Sequence, residues 1–204
     1  YQESGRGQKG NSWESEPCLN ILTSFVFKAN LSISRSFAIS MITSIAVVEF
    51  LESHGCCALI KWPNDIIVND RKIAGMLIEN DFLGEIVENT VIGIGINVNQ
   101  TEFRTCPKAI SLTQITAHRY NIETLVIQLQ ELLIANFYKY SEDLETLKKK
   151  YVNLLYKKDN AQYYNGLQKF NATIENVDFD GRITLKTNKN KIYQYYFKQI
   201  EMFY

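Results

Sequence analysis

The stretch that decides the fold is ALIKWPNDIIVNDRKIAGMLIENDF, residues 58–82. It contains three strand-like runs, at residues 58–62, 66–68 and 72–82, which are rich in aliphatic side chains. The dipeptide Asn69-Asp70 separates the last two runs, and this pair favours a tight turn. The stretch therefore predicts neighbouring strands, with a hairpin across the dipeptide.

Strand-like runs also lie on either side, at residues 19–27 and 88–98. A helical period follows the first of them, carried by Phe37, Met41, Ile45, Val48 and Leu51. Two further apolar stripes predict helices within residues 125–140 and 144–154. Together these elements predict an α+β domain, with a mixed or antiparallel sheet and flanking helices, over residues 1–157.

The C-terminal part of the chain has a different sequence pattern. Alternating apolar and polar residues flank turn signals at Asp180-Gly181 and Asn188-Lys189-Asn190, and an aromatic run covers residues 193–197. Short strands joined by tight turns within so few residues are typical of small barrels. We therefore predict a second, all-β module over residues 158–204.

Composition excludes several classes of protein. Apolar residues make up 46% of the chain and charged residues 22%, which is typical of globular proteins and not of disordered or fibrous ones. The 22 basic and 22 acidic residues balance, so the chain lacks the basic excess of a nucleic-acid-binding protein. Four cysteines without C-x-x-C spacing disfavour a disulfide framework and suit a reducing cytoplasm. The apolar stretch at residues 37–51 is interrupted by polar residues, and we expect no membrane span.

A glycine-rich segment, Gly5-Arg6-Gly7-Gln8-Lys9-Gly10, lies within residues 1–18, which we predict to form a loop. It matches G-x-G-x-x-G, but the strand and helix that a dinucleotide fingerprint requires on its two sides are not predicted here. Its backbone N–H groups and cations could instead wrap a phosphate or carboxylate, or the segment could be a mobile surface loop. Trp13, which follows, is either a lid that stacks on an aromatic ring or a plug that anchors the loop.

Three further motifs carry candidate binding residues. Lys61 ends a buried strand just before Pro63, a position where lysine is unusual unless it meets an anion, and Asn64-Asp65 could form a turn or bind hydrated magnesium. Lys72 begins a strand in which Gly75 permits close approach of a ligand or of backbone. The third motif, Gly93-Ile94-Gly95-Ile96-Asn97, has the same character, with a bulge of satisfied amides as the alternative.

Arginine, lysines, asparagines and glycine backbone stabilise negative charge and do not form nucleophile–base pairs. No G-x-S-x-G, H-E-x-x-H or P-loop motif occurs in the sequence. The inventory favours phosphoryl or adenylyl transfer, in which positioning and charge neutralisation supply most of the catalysis.

Taken together, four motifs resemble those of the biotin protein ligases: Gly5-Arg6-Gly7-Gln8-x-Gly10-Asn11-x-Trp13, Lys61-Trp62-Pro63-Asn64-Asp65, Lys72-Ile73-Ala74-Gly75 and Gly93-x-Gly95-Ile96-Asn97. The resemblance covers residues 1–157 and, more loosely, the terminal β module. It implies the class II synthetase-like biotin/lipoate ligase fold, followed by a small SH3-like β-barrel.

The resemblance also implies an activity. The carboxylate of biotin would attack the α-phosphate of ATP with Mg²⁺ as cofactor, and magnesium pyrophosphate would leave biotinoyl-AMP in the site. A lysine amine of the biotin carboxyl carrier protein of acetyl-CoA carboxylase would then displace AMP. A homodimer is plausible for this fold, and neither nucleic acid nor a membrane is expected as a partner.

The implied site residues follow the motifs. Lys61 and Arg6 would be catalytic, because they would remove the repulsion between two converging anions. The biotin site would comprise Gln2, Arg6, Gly7, Gln8, Lys61, Gly93 and Gly95. The ATP and adenylate site would comprise Arg6, Trp13, Asn64, Lys72 and Asn97. Asp65 would arrange a metal ion or the carrier lysine.

This sequence departs from the family pattern at three places. Gln8 replaces an arginine that helps to retain the adenylate, and Cys18 stands where the pattern has glycine. A Ser-Thr-Asn segment that precedes the glycine loop in the family, and contributes to the biotin pocket, is not in these residues. We therefore expect the catalytic domain to be incomplete at its N-terminus. The alternatives are a lipoate or octanoate ligase or transferase of the related fold, and a ligand-binding fragment without catalysis.

Overall fold

The computed structural model of the protein describes residues 2, 5–7 and 12–203. Its first sheet is antiparallel, with strand order β3-β7-β6-β5-β4. The strands are β3 (Ile21–Ser32), β4 (Leu59–Lys61), β5 (Asp65–Val68), β6 (Arg71–Leu83) and β7 (Ile86–Ile96). β5 and β6 pair directly across Asn69 and Asp70, both of which have positive φ. The predicted hairpin is therefore confirmed.

The prediction of a loop over residues 1–18 is wrong at two places. β1 (Gly5–Arg6) and β2 (Ser12–Trp13) form an antiparallel ribbon, in which Gly5 pairs with Trp13 and Arg6 with Ser12. Strands of two residues are too short to show an alternating pattern, so the sequence carries no periodic signal for them. The ribbon places Arg6 and Trp13 on adjacent short strands.

Strand β7 separates the core from the opposite face of the sheet. Its residues Ile92, Ile94 and Ile96 are buried, whereas the alternating Gly93 and Gly95 are partly accessible. Successive side chains of a strand point to opposite faces. One face of the sheet is therefore lined by isoleucine against the helices, and the other is stripped of side chains at its centre.

Four α-helices are described, and two of them, the first and the third, contact strands of the first sheet. They are α1 (Phe37–Glu52), α2 (Leu112–Thr116), α3 (Ile122–Tyr140) and α4 (Leu144–Asn153). α1 packs against α3, α4 and strands β4 and β5, while α3 also contacts β3. Twelve residues of α1 are buried, which makes it the central helix of the core.

The helical run Ile33–Glu52, which includes α1 and a preceding 3-10 turn, is long and apolar enough to cross a membrane by length and composition alone. The polar residues that interrupt residues 37–51 therefore do not exclude a membrane span by length and composition, contrary to our expectation. In the folded chain 61% of its most apolar window is buried inside the protein. That burial is the environment of a core helix.

The second sheet is also antiparallel, with order β11-β10-β9-β8-β12. Its strands are β8 (Ala161–Tyr164), β9 (Lys169–Val177), β10 (Ile183–Thr187), β11 (Ile192–Tyr195) and β12 (Glu201–Phe203). It docks on the first part of the chain through backbone and side-chain bonds. The indole of Trp62 donates to the carbonyl of Gly181 at 3.2 Å, and the amide of Phe37 donates to Phe179 at 2.9 Å.

A polar knot joins the three long helices. The Asn136 side chain of α3 donates to the Glu49 carboxylate of α1 at 2.6 Å, and Lys150 of α4 donates to the same carboxylate. Burial raises the pKa of Glu49, but the bonds from Lys150 and Asn136 outweigh it, so the pKa lies below its usual value. The knot is therefore present when Glu49 is ionised.

Replacing Glu49 by glutamine should lower the free energy of unfolding by about 1–2 kcal/mol at neutral pH, because a half-buried ammonium loses its charged partner. A carboxyl group with a depressed pKa stabilises the fold above its unfolded pKa, near 4.5, and this contribution disappears as the pH falls through the lower folded pKa. Urea denaturation measured between pH 3 and pH 7 should show a shallower pH dependence in the variant. An unchanged slope in Glu49→Gln would contradict this assignment.

Candidate functional site

A row of residues crosses the glycine face of the first sheet, one from each strand. Lys61 is opposite Asp65, Asp65 is opposite Gly75, and Gly75 is opposite Gly95. Leu22 of β3 completes the row beside Gly95. Neighbouring strands lie about 4.8 Å apart, so the row has two oppositely charged residues, Lys61 and Asp65, at one end and two glycines in the middle.

This row forms the floor of a cleft of about 640 Å³, a volume within the range of small-molecule sites. The N-terminal ribbon covers part of it, and the second sheet forms one wall. Ten of the predicted site residues line the cleft: Gln2, Arg6, Gly7, Trp13, Lys61, Asn64, Asp65, Lys72, Gly93 and Gly95. Gln8 lies outside the described residues.

Trp13 packs on the centre of the floor. A Cβ added to Gly95 would lie 2.7 Å from the indole Cε2, and one added to Gly75 would lie 3.1 Å from Cζ3. Gly75 and Gly95 therefore form what we call the glycine seat of Trp13. The ring therefore packs against the sheet, as expected if Trp13 anchors the loop. Its Nε1 atom is buried and makes no hydrogen bond within the described residues.

Two lysines that line the cleft, Lys61 and Lys72, have different electrostatic surroundings. Lys72 bonds Asp65 at 2.6 Å and places its ammonium 5.5 Å from the centroid of the Trp13 ring. Burial lowers the pKa of Lys61, Asp65 opposes that shift, and the positive charges of Lys72 and Lys108 add to it. Arg6, Lys61 and Lys72 line the cleft together with the carboxylates of Asp65, Glu79 and Glu201, and partial burial strengthens the attraction of these cations for an anionic ligand.

The described residues do not form a protein-only metal site. Within residues 2, 5–7 and 12–203, no group of three or more His, Cys, Asp or Glu side chains could hold a metal ion. The one predicted metal ligand, Asp65, is held by Lys72. The residues present therefore do not fit a resident Mg²⁺ ion.

The two asparagines predicted for the nucleotide side have different positions. Asn64 lines the cleft, and its amide donates to the carbonyl of Met76 at 2.6 Å. Asn97 is 3% exposed, and its amide donates to the carbonyl of Ile110 at 3.2 Å, so the structure does not bring its side chain to the cleft. Asn97 instead braces the end of β7, as the alternative of satisfied amides predicts.

Cys18, which stands in place of a glycine, adopts a φ of 59°. This left-handed conformation is the one that glycine adopts without steric cost. The departure at this position is therefore accommodated with backbone strain, outside the cleft.

Sequence reasoning missed the cleft wall contributed by the second sheet. Its residues are Tyr163, Phe197, Ile200, Glu201 and Met202. Tyr163, Glu201 and Met202 lie on short strands, and Phe197 and Ile200 lie in the segment between β11 and β12. The sequence pattern predicts only that such apolar residues form the interior of the β module. Tyr163 is 1% exposed, and its hydroxyl has no partner within the described residues. Only the docking of the two sheets, which no local pattern encodes, brings these side chains to the cleft.

Known proteins are similar to this chain in sequence and in structure. The sequence pattern of the Biotin/lipoate A/B protein ligase family matches residues 1–97. The "Bifunctional ligase/repressor BirA" of Bacillus spizizenii is 35% identical over 100 residues, which is 48% of this chain and 31% of that protein. A "Biotin--[acetyl-CoA-carboxylase] ligase" of Paracoccus denitrificans is 32% identical over 100 residues, again 48% of this chain and 41% of that protein.

Among solved structures, a biotin protein ligase from Aquifex aeolicus in complex with biotin and ATP superposes with a TM-score of 0.74 and 22% identity. The match covers 99% of this chain and 85% of that one, so the α+β architecture with antiparallel sheets is the fold of that ligase. The matched region spans less than half the length of the curated relatives. Residues 1–97 match the model of the biotin/lipoate A/B protein ligase family, and about half of the chain is similar in sequence to biotin protein ligases.

Proposed function

We propose that this protein is an ATP-dependent ligase that activates biotin as biotinoyl-AMP. It then transfers the biotinoyl group to a lysine of the biotin carboxyl carrier protein of acetyl-CoA carboxylase. The observation that carries the proposal is that Arg6 and Lys61, from segments far apart in sequence, line one cleft with the seated Trp13. The relatives named above include biotin ligases, and one solved structure holds biotin and ATP.

The charges of the cleft suit the first half-reaction. A carboxylate oxygen of biotin attacks the α-phosphorus of ATP, and the bond to pyrophosphate breaks, which brings two anions into contact. Arg6 and Lys61 are the cations that would offset this repulsion, and preorganised charge of this kind is a major source of catalysis. In the second half-reaction a neutral lysine amine attacks the acyl carbon, AMP leaves with the bonding electrons, and the amine nitrogen loses a proton.

We assign a binding role to each residue from its position in the cleft. Gln2, Gly7 and Gly93 line it together with Lys61, and we assign this group to biotin. Gln8 belongs to the same proposal by sequence alone. Trp13, Asn64 and Lys72 lie towards the glycine seat, and we assign them to the nucleotide. Asn97, which does not line the cleft, would support the nucleotide-binding part of it through its hydrogen bond to the carbonyl of Ile110.

Four finer features belong to the same proposal. The second sheet, at residues 158–204, would be an SH3-like module attached to a catalytic domain at residues 1–157. Magnesium would enter bound to the phosphates of ATP, since Asp65, the carboxylate predicted as a metal ligand, is already paired with Lys72. The protein would act in the cytoplasm. A homodimer would form through a sheet edge.

The test is isotope exchange between pyrophosphate and ATP. We expect exchange that requires biotin, because pyrophosphate is released only when the carboxylate attacks. Exchange that ignores biotin, or that responds to lipoate or octanoate in its place, would overturn the proposal. Biotin binding measured by calorimetry without any exchange would identify a ligand-binding fragment instead.

A further inference from the structure

The residue after Trp13 is tied to a distant segment. One carboxylate oxygen of Glu14 accepts a hydrogen bond from the amide of Arg104 at 2.8 Å. The other accepts from the amide of Thr105 at 2.7 Å and from its hydroxyl at 2.6 Å. Three donors thus converge on one side chain, and we call this contact the Glu14 latch. It joins the strand that carries the indole to the loop that follows β7.

Other attachments also join these segments, including a hydrogen bond of 2.9 Å from the amide of Glu16 to the Gln100 side chain. Asn20 donates from Nδ2 to the side-chain oxygen of Gln100 at 2.7 Å, and its own oxygen accepts from the amide of Val98 at 2.9 Å. Asn20 and Gln100 are both buried. This buried attachment fixes the start of β3 independently of Glu14. Removing the latch should therefore free the neighbourhood of Trp13 and leave the fold in place.

The latch holds a charged acceptor. Burial raises the pKa of Glu14, but the hydrogen bonds from Arg104 and Thr105, with the charge of Arg104, lower it below its usual value. The carboxylate is therefore ionised near neutral pH. Hydrogen bonds to an ionised acceptor are shorter and stronger than neutral ones.

We propose that Glu14 is a positioning residue for the nucleotide half of the cleft, because its latch to Arg104 and Thr105 keeps the indole of Trp13 on the glycine seat. The inference rests on the proposed function, in which the indole stacks on the adenine ring. A stacking side chain that is already placed costs less conformational entropy when the ligand binds. Glu14 sets that cost without contacting the ligand.

The kinetic test replaces Glu14 by glutamine, which keeps the size of the side chain and removes its charge. We expect the KM for ATP in biotin-dependent exchange to rise about five- to ten-fold, with the KM for biotin within two-fold of wild type. Glu16→Gln is the matched control. Glu16 lies two positions from Glu14, and within the described residues its carboxylate has no hydrogen-bond or ion-pair partner, since only its backbone atoms are bonded. Thr105→Val should give a smaller rise in the KM for ATP, and Thr105→Ser should restore wild-type behaviour.

Two measurements do not depend on catalysis. Amide hydrogen exchange at Arg104 and Thr105 should accelerate in Glu14→Gln, which shows that the latch has opened. ATP affinity by calorimetry should fall by the same factor as the kinetic effect, and the emission of Trp13, isolated by subtracting a Trp13→Phe spectrum, should shift. Faster amide exchange with unchanged ATP affinity would make the latch merely structural and overturn the inference.

These readouts also separate this inference from the proposed function. A wild-type protein that binds ATP but performs no biotin-dependent exchange would refute the ligase activity. In that protein a weaker ATP affinity in Glu14→Gln would still support the positioning role. A wild-type protein that binds no ATP would overturn both.

Discussion

Replacing Lys61 by methionine is expected to lower the rate of biotin-dependent ATP–pyrophosphate exchange by about 10²- to 10³-fold. Methionine keeps the length and the apolar stem of the side chain and removes only its charge. Loss of one preorganised charged donor raises a barrier by about 3–4 kcal/mol, and Lys61 lines the cleft at the end of the residue row. Single-turnover measurement of adenylate formation gives this effect directly.

Two variants control this experiment. Lys28→Met removes an exposed lysine from β3, outside the cleft, and should leave exchange unchanged. Lys61→Arg keeps a charge that does not titrate. Because burial lowers the pKa of Lys61, wild-type exchange should decline with rising pH at a value below the usual 10.5, and in Lys61→Arg this decline should disappear. Exchange by Lys61→Met within three-fold of wild type would exclude a catalytic role.

The second large effect is expected from Gly95→Ala. A Cβ there would lie 2.7 and 2.8 Å from two indole atoms of Trp13, so the ring has to leave the glycine seat. Stacking of a base on an aromatic ring contributes about 1–3 kcal/mol, and we expect the KM for ATP to rise roughly 10- to 100-fold. The emission of Trp13 should shift at the same time, and a seated indole in Gly95→Ala would contradict the packing described above.

Gly93→Ala is the matched comparison on the same strand and the same face. Its Cβ would meet the carbonyl of Leu77 at 3.4 Å and other atoms at 3.8 Å, which are ordinary contacts. The indole should therefore stay in place, and its emission should not change. Because Gly93 lies on the proposed biotin side, this variant should raise the KM for biotin instead.

Much of the first sheet could be predicted because its signals are local. The dipeptide Asn69-Asp70 encodes a turn through two residues that tolerate positive φ. The apolar repeat from Phe37 to Leu51 encodes a helix, and the motif at residues 93–97 places small residues at period two. Each of these patterns extends over fewer than twenty residues, so it can be recognised from neighbouring residues alone.

The remaining features depend on contacts between distant segments. In the sequence, Asn97 resembles a nucleotide-binding residue because a polar side chain follows two glycines. In the structure its amide donates to the carbonyl of Ile110, which belongs to another segment. Tyr163 and Met202 reach the cleft only when the second sheet docks. The Glu14 latch spans 91 positions to Thr105, and no pattern near either residue predicts it.

Strand β7 has a consequence for how this protein can vary. From Thr90 onward the even-numbered positions of β7 are buried and the odd-numbered positions face the cleft side, so inserting or deleting one residue near Thr90 would exchange the two sets beyond that point. Isoleucines would then fill the space of the ligand, and glycines would leave holes against the helices. Evolution can therefore change this strand by substitution, whereas a change in its length would cost stability and binding together.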